Sequence, residues 1–474
     1  MIGRRLEATI TIYFCLSMVV VAALILALVE AVRYEGLNTD ANQWTDAAAE
    51  SLCAGYQPLL LEEYDIFALD GSFGNEEFSL GQGEEELEAL LYDNLQYTTE
   101  KSINFYRMGV RDVRITEYTL LTDDNGQIFM AYIADLMKSR LGKKGARKIY
   151  DRITKNKYIE GESVDIEQSI VNAKQNVNIS QEEGIECNPL EDITLFGGQD
   201  ILNIVLPSGK SASDKVMDVE NSLLHRKKKQ GTGWKKADID WYERILVQEY
   251  FKSLGGNFIE PKEDGALSYG IEYLIWGESS DEKNLKKTIN YILLLREAAN
   301  YLYLRTDAVK QAEALSVATA LAGGSANPAV IAAVKQGILA AWAYAESILD
   351  VKALLCGGKI PLKKTAESWK SGLSGLASVV TQEYKGETQG LSYEDYLEVF
   401  LYTRTEKTMA YRMLDLMEQK LREQSGCQNC RMDYMLTAVK IEAEYVGNTI
   451  FFGIFAKDTV GGYGFKKTAE YIYQ

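Results

Sequence analysis

The chain has 474 residues and a formal charge of −17, a balance that disfavours nucleic acid and anionic lipid headgroups as partners. Apolar residues at 46 % and charged residues at 25 % match an ordinary globular protein, so most of the chain is expected to fold. Its length leaves room for two or three domain-sized cores.

The first element decides where the protein lives. Ala8 to Val29 carries no charge, and at about 1.5 Å per residue it makes a helix of roughly 33 Å, enough to cross a bilayer. Arg4 and Arg5, opposed only by Glu7, favour a cytoplasmic N-terminus, with everything after Glu30 outside. A cleaved signal peptide is the rival reading, with Val29-Glu30-Ala31 as its cleavage site. The run is longer than the usual apolar core of such a leader, of about 7–15 residues. The next stretch also favours an anchor. Leu37, Ala41, Trp44, Ala48, Leu52 and Tyr56 recur every three or four residues, the pattern of a helix with one buried face. Nothing breaks that helix before Pro58, although Gly36 and Gly55 weaken it.

Beyond the stalk, Leu59 to Asp70 reads as a compact turn into the outer domain, and Glu84 to Tyr106 as a helix. Val110 to Leu121 alternates like a strand, with Asp123-Asp124-Asn125-Gly126 as a hairpin-type turn and Ile128 to Ile153 as a helix. From Glu160 to Lys236 the pattern loosens, and His225 to Gly231 reads as a solvated basic loop in a flexible insertion. Asp238 to Leu254 reads as a helix and Leu267 to Trp276 as a strand. Ser279 to Glu282 forms a capping box ahead of a helix whose apolar face holds Leu285, Ile289, Ile292 and Leu293. Helices follow over Asp307 to Ala322 and, started by Asn327-Pro328, over Ala329 to Leu355. The latter contains Lys335, Glu346, Asp350 and Lys352, so it reads as a buried helix of the folded region and not a second membrane span. Ser392, with Asp395 three residues on, caps a helix to about Gln424. Val439 to Tyr445 alternates as a strand, Thr449 to Phe455 and Thr468 to Tyr473 read as its partners, and the glycines of 461–464 as a turn.

The mixed order predicts an α+β fold with an N-terminal transmembrane helix continuing into a stalk helix. The expected division is a cytoplasmic stub over 1–7, the membrane helix over 8–29 and the stalk over 30–57. A first α+β part over 58–159, a loose insertion over 160–236 and a second α+β part over 237–474 follow.

The sequence offers little chemistry. Phosphate loops, nucleophile elbows, zinc-protease helices and calcium loops are missing, and adjacent acids such as Glu84-Glu85-Glu86 read as solvated faces. His225, the one histidine, has no acid or nucleophile beside it. Cys427 and Cys430 form the one C-x-x-C, expected as a local disulfide or free thiols. Tetrahedral zinc needs four ligands and this chain has one histidine, so no metal is expected. No catalytic residue and no cofactor is assigned. The 29 tyrosines suit either contact surfaces or half-buried strands.

The beginning of the chain carries a resemblance. An apolar span ending in Glu30-Ala31-Val32-Arg33 is similar to the E-x-x-R ending of TadE-like pseudopilins of tight-adherence pilus systems. Leu60 to Asp70, with Glu62, Glu63, Tyr64, Phe67 and Asp70, resembles the signature of an uncharacterised envelope family of Gram-positive anaerobes, often encoded beside pilus genes. Glu7 follows Gly3 by four residues where pilin processing usually leaves five, so an uncleaved anchor is expected. The resemblance implies a single-pass cell-membrane protein, non-enzymatic, serving a structural or assembly role in a pilus or secretion apparatus. Its implied partners are pseudopilins or platform proteins, with Glu30 and Arg33 pairing with neighbouring subunits. A stand-alone surface binding or adhesion protein is the alternative.

Overall fold

The computed structural model describes residues 2–99, 108–138, 147, 188–194, 199–322, 327–424, 426–451 and 462–473. It has the expected α+β character, helices with one antiparallel sheet, headed by one long apolar helix. The expected contiguous division is corrected: two compact units are built from separated stretches of chain. The first comprises residues 1–129, 228–237 and 421–474, and the second residues 130–227 and 238–420.

In the first unit, helix α1 runs unbroken from Ile2 to Cys53, through Gly36. Its halves have opposite surroundings. Side chains from Ile10 to Val29 are mostly exposed, and this stretch is the one described helix long and apolar enough to cross a membrane. From Glu30 onward a stripe is buried: Arg33, Leu37, Ala41, Thr45, Ala48 and Leu52 follow at spacings of three and four. Trp44, expected on this stripe, is half-buried, and Thr45 takes its place with its hydroxyl 2.8 Å from the Tyr445 hydroxyl.

The stripe packs on a sheet of β1 (Leu69–Asp70), β2 (Met108–Leu120), β3 (Met435–Asn448) and β4 (Gly462–Ile472). β3 is central and antiparallel to all three, with β2 on one edge and β1 and β4 on the other. Tyr463, Phe465 and Ala469 point inward from β4, while Gly464, Lys466 and Glu470 face water, the alternation of a half-buried strand. Helix α2 (Pro58–Tyr64) starts with proline at its first position, after Gln57, whose side chain accepts the Leu59 N–H. Helix α3 (Leu80–Thr99) packs on β2.

Several expectations are corrected here. Asp123 to Gly126 forms a short 3-10 turn leading into helix α4 (Gln127–Lys138), not a hairpin. The Asp123 carboxylate explains this, since it accepts the Leu120 and Gly231 N–H groups and so ties the turn to another segment. The basic stretch is a fixed part of the fold rather than a flexible insertion. The Thr232 N–H donates to the Tyr118 carbonyl at 3.1 Å, covering part of the β2 edge, and Lys229 N–H donates to Asp433 at 2.9 Å. A Cβ on Gly231 would lie 2.1 Å from an Asp123 oxygen, so this close approach requires glycine. Gly462 to Gly464 belong to β4 and not to a turn, and residues 449–451 lie outside any strand. The remainder of the expected 449–455 strand lies outside the described residues, as do residues 100–106, 139–146, 148–153 and 160–187 of other expectations.

The second unit, as described, is helical. It contains the short α5 (Pro189–Thr194) and α6 (Ile201–Val205), then α7 (Trp241–Leu254), α8 (Gly270–Trp276), α9 (Asp281–Thr306), α10 (Ala308–Leu321), α11 (Pro328–Leu355), α12 (Tyr393–Thr403) and α13 (Glu406–Arg422). The expected strand over Leu267 to Trp276 is thus helix α8. A short run buried from Gly270 to Ile275 carries no usable period, and end chemistry decides its form. Asp281 accepts the Ser268 and Tyr269 N–H groups just ahead of it, and Gly277 ends it at φ 73°. The Arg412 guanidinium donates to the last carbonyls, of Leu274, Ile275 and Trp276.

The cap before α9 is Ser280, one residue later than expected, and the helix expected from Ser392 divides at Arg404. Thr405 supplies the second start, its hydroxyl accepting the Thr408 N–H. Asn327 and Pro328 open α11 as expected. The long helices α9 and α11 lie side by side, joined by buried polar pairs, among them Arg296–Asp350 at 2.9 Å and Asn300–Ser347 at 2.9 Å.

This packing makes the two halves of α1 separable by mutation. Leu37→Ala should cost the first unit about 2–5 kcal/mol. Leu24→Ala, in the exposed half, should leave its unfolding midpoint unchanged. Denaturant titration of the detergent-solubilised chain, followed by circular dichroism, measures both.

Candidate functional site

The most constrained polar group of the first unit lies where α1 passes from its exposed to its packed half. Glu30 and Arg33 stand seven and four residues before Leu37, on the same helical stripe, so both face the sheet end. They are 1 % and 2 % exposed. Arg33 Nη1 donates to Glu30 Oε1 at 2.8 Å, and its Nη2 donates to the Asn448 carbonyl at 2.7 Å. The Tyr463 hydroxyl donates to the same Glu30 oxygen at 2.6 Å. The Ile450 and Phe451 N–H groups reach the carboxylate at 3.4 and 3.3 Å. Tyr34 packs against Tyr463 and Phe465, each ring centre 5.2 Å away.

Glu30 and Arg33, expected to pair with neighbouring subunits, are engaged within the chain. Their partners are the end of β3, the start of β4 and residues just after β3. Burial works to raise the Glu30 carboxyl. Hydrogen bonds from Tyr463 and Ile450, the Arg33 charge and the Phe451 N–H outweigh it, and the group sits below the usual carboxylate range. The arrangement is a clamp that ties the start of the packed half of the helix to the sheet. Its signal in the sequence was the phase of Glu30 and Arg33 on the buried stripe.

The family-like motif falls at the other end of the packed half. Glu62 and Glu63 are exposed on α2, whereas Tyr64 is buried. Phe67 sits between Tyr56 and Tyr473, its ring centre 5.1 and 6.3 Å from theirs. Asp70 lies in β1 and accepts the Ser72 N–H at 2.9 Å. Tyr64, Phe67 and Asp70 thus build the joint between stalk and sheet.

Cys427 and Cys430 are buried free thiols, one of the two states expected for the pair. Gln57 Nε2 reaches their sulfurs at 3.3 and 3.6 Å. Burial, with Cys427 close by, pushes the Cys430 thiol up to about 12, which leaves it a poor nucleophile. Among the described residues, no group of three or more histidine, cysteine, aspartate or glutamate side chains is placed to hold a metal ion. The Arg226 guanidinium in the basic stretch forms a two-pronged pair with Glu418, and the His225 ring contacts Ser222 and the Val219 carbonyl.

The second unit holds a wholly buried acid that sequence reading missed. Glu272 on α8 accepts the Phe258 N–H at 2.9 Å and the Tyr393 hydroxyl at 2.8 Å. Burial pushes its carboxyl up to about 7, with Asp281 adding to the rise.

Among the described residues, one long apolar helix clamped to an antiparallel sheet and a helical second unit define an α+β protein with a potential membrane anchor. Residues 179–447 match the model of DUF5702, a family of unknown function, and the chain belongs to that family. The matched stretch begins after α1 and ends within β3. No curated protein and no solved structure matches the chain.

Two measurements test these assignments. Glu30→Ala leaves Arg33 buried without its anion and should destabilise the first unit by about 3–5 kcal/mol. Because the Glu30 carboxyl is held below its ordinary 4.5, its stabilisation is present above that pH and lost as pH falls further. Glu272 has the opposite sign. Its raised carboxyl binds a proton in the fold that the unfolded chain releases, so its contribution declines as pH rises from 4.5 to about 7. Glu272→Gln should therefore gain stability over the parent at pH 8 relative to pH 4, read as the difference in denaturation midpoints.

Proposed function

We propose that this protein is a membrane-anchored extracytoplasmic component with a structural or assembly role in a tight-adherence-like pilus or secretion apparatus. The reading draws on the TadE-like ending of the apolar span and rests chiefly on one observation, the unbroken course of α1. The same helix supplies an exposed apolar half of membrane-spanning length and the packed spine of a folded head. A head joined to its anchor by a rigid helix, and not by a linker, transmits position between the membrane plane and the outer face. That is what an assembling subunit needs. Glu30 and Arg33 are engaged internally, so lateral contact with pseudopilins or a platform protein falls to the apolar half. In this reading the short arginine-bearing end stays in the cytoplasm and the acidic bulk lies outside.

The alternative of a tyrosine-rich binding surface receives less support. Tyr250, Tyr273, Tyr393, Tyr396, Tyr445 and Tyr463 are buried, so much of the tyrosine enrichment serves the interior.

A photo-crosslinking residue placed at Leu16 or Val20 in the native host should yield adducts with pilin-like or platform membrane proteins. Adducts with lipid alone would count against an assembly role. Protease added to intact cells should remove the region after Glu30 and leave a small membrane stub, and full protection would overturn the outward orientation.

A further inference from the structure

The deepest charges of the second unit converge on one nitrogen. Lys364 Nζ lies 2.5 Å from Glu346 Oε1, 2.7 Å from Asp350 Oδ1 and 3.1 Å from the Ser368 carbonyl oxygen. The side chains of Lys364, Glu346 and Asp350 are each 0 % exposed. Glu346 and Asp350 are four residues apart on α11, so both carboxylates leave one face of the helix and flank the amine.

The two oxygens of Asp350 are treated differently. Oδ1 faces Lys364, whereas Oδ2 accepts Arg296 Nε at 2.9 Å and Asn300 Nδ2 at 3.0 Å. A carboxyl group with an amine at one oxygen and two fixed donors at the other is an acyl donor beside an oxyanion-stabilising pair. Glu346 is itself held by the Lys370 N–H, at 3.1 Å, and the Ser371 N–H, at 2.7 Å, and so keeps its place while a proton moves. The Ser371 carbonyl in turn accepts both the Trp342 and Trp369 indole N–H groups, which anchors that segment over the cluster.

We propose that Lys364 and Asp350 condense into an intramolecular isopeptide bond, with Glu346 as the proton carrier. Glu346 takes a proton from the Lys364 ammonium and delivers it to Asp350 Oδ1, so that a free amine faces a carboxylic acid. Nζ then attacks Cγ while Arg296 and Asn300 hold the charge that develops on Oδ2. The nitrogen loses a second proton to Glu346, which returns it to Oδ1, and the Cγ–Oδ1 bond breaks as one water departs. Ammonium and carboxylate become amide and water, and no oxidant or cofactor enters. Full burial excludes the bulk water that would favour hydrolysis, and the fixed contact supplies a high effective concentration. The bond removes one cation and one anion together. Arg296 and Glu346 remain, so the buried charge stays balanced.

The test is intact mass spectrometry of the full chain purified in detergent, with near-ultraviolet circular dichroism to establish the native fold. The parent should be lighter than its sequence mass by one water, about 18 Da. Lys364→Arg should show no such loss, and Glu346→Gln should slow or abolish it. Trypsin should release a branched peptide joining Gln336–Lys352 to Lys364–Lys370 from the parent. A natively folded parent with its full sequence mass and these peptides separate would overturn the proposal. A water loss that maps elsewhere in the chain would do the same.

Discussion

A helix that is exposed along one half and packed along the other has to change its surroundings without changing its hydrogen-bond ladder. In α1 the change is carried by side chains alone. Apolar residues cover the whole circumference up to Val29, and from Glu30 the buried positions narrow to a stripe. Along that stripe Ala41, Thr45 and Ala48 are small, which lets the helix approach β3 and β4 closely. Leu37 and Leu52 supply the larger apolar contacts. At the crossing point the backbone carbonyl of Asn448 and the hydroxyl of Tyr463 stand where water would otherwise solvate Arg33 and Glu30. The clamp is costly unless complete, since either charge alone would be buried without a counterion. Its completeness fixes the rotation of the helix about its axis.

The second unit handles charge in another way. Arg296, Asp350, Glu346 and Lys364 occupy the space between α9, α11 and the following segment, where apolar side chains would pack as well. Each donor and acceptor there meets a partner of suitable geometry, including backbone N–H groups of Lys370 and Ser371. Such a network specifies one alignment of the long helices rather than many.

Much of the architecture was legible in the residues. The charge-free run, the stalk periodicity, the Asn327-Pro328 start and the Ser392 cap are local signals, and each has its counterpart in the structure. The failures share a cause as well. Leu267 to Trp276 looked like a strand because a short apolar run has no period to read, and the capping by Asp281 and Arg412 comes from distant sequence. The His225 to Gly231 stretch looked solvated because its anchors, Glu418 and Asp433, lie some 200 residues away. The division of the chain into units was illegible for the same reason, since strand pairing between β2 and β3 leaves no mark in either segment alone. Glu30 and Arg33 were legible as a motif, and their helical phase pointed inward to the sheet.

The pairing of α1 with β4 joins residues far apart in the chain, Glu30 and Tyr463 being 433 positions apart. At about 5–20 residues per second, α1 would wait roughly 20–80 s for β4 to be made. Through that interval Glu30 has no Tyr463 to meet, and the stripe from Leu37 to Leu52 stands uncovered. Nascent chains stalled before residue 462 would therefore present a sticky, half-dressed spine. Such chains make natural clients for folding helpers.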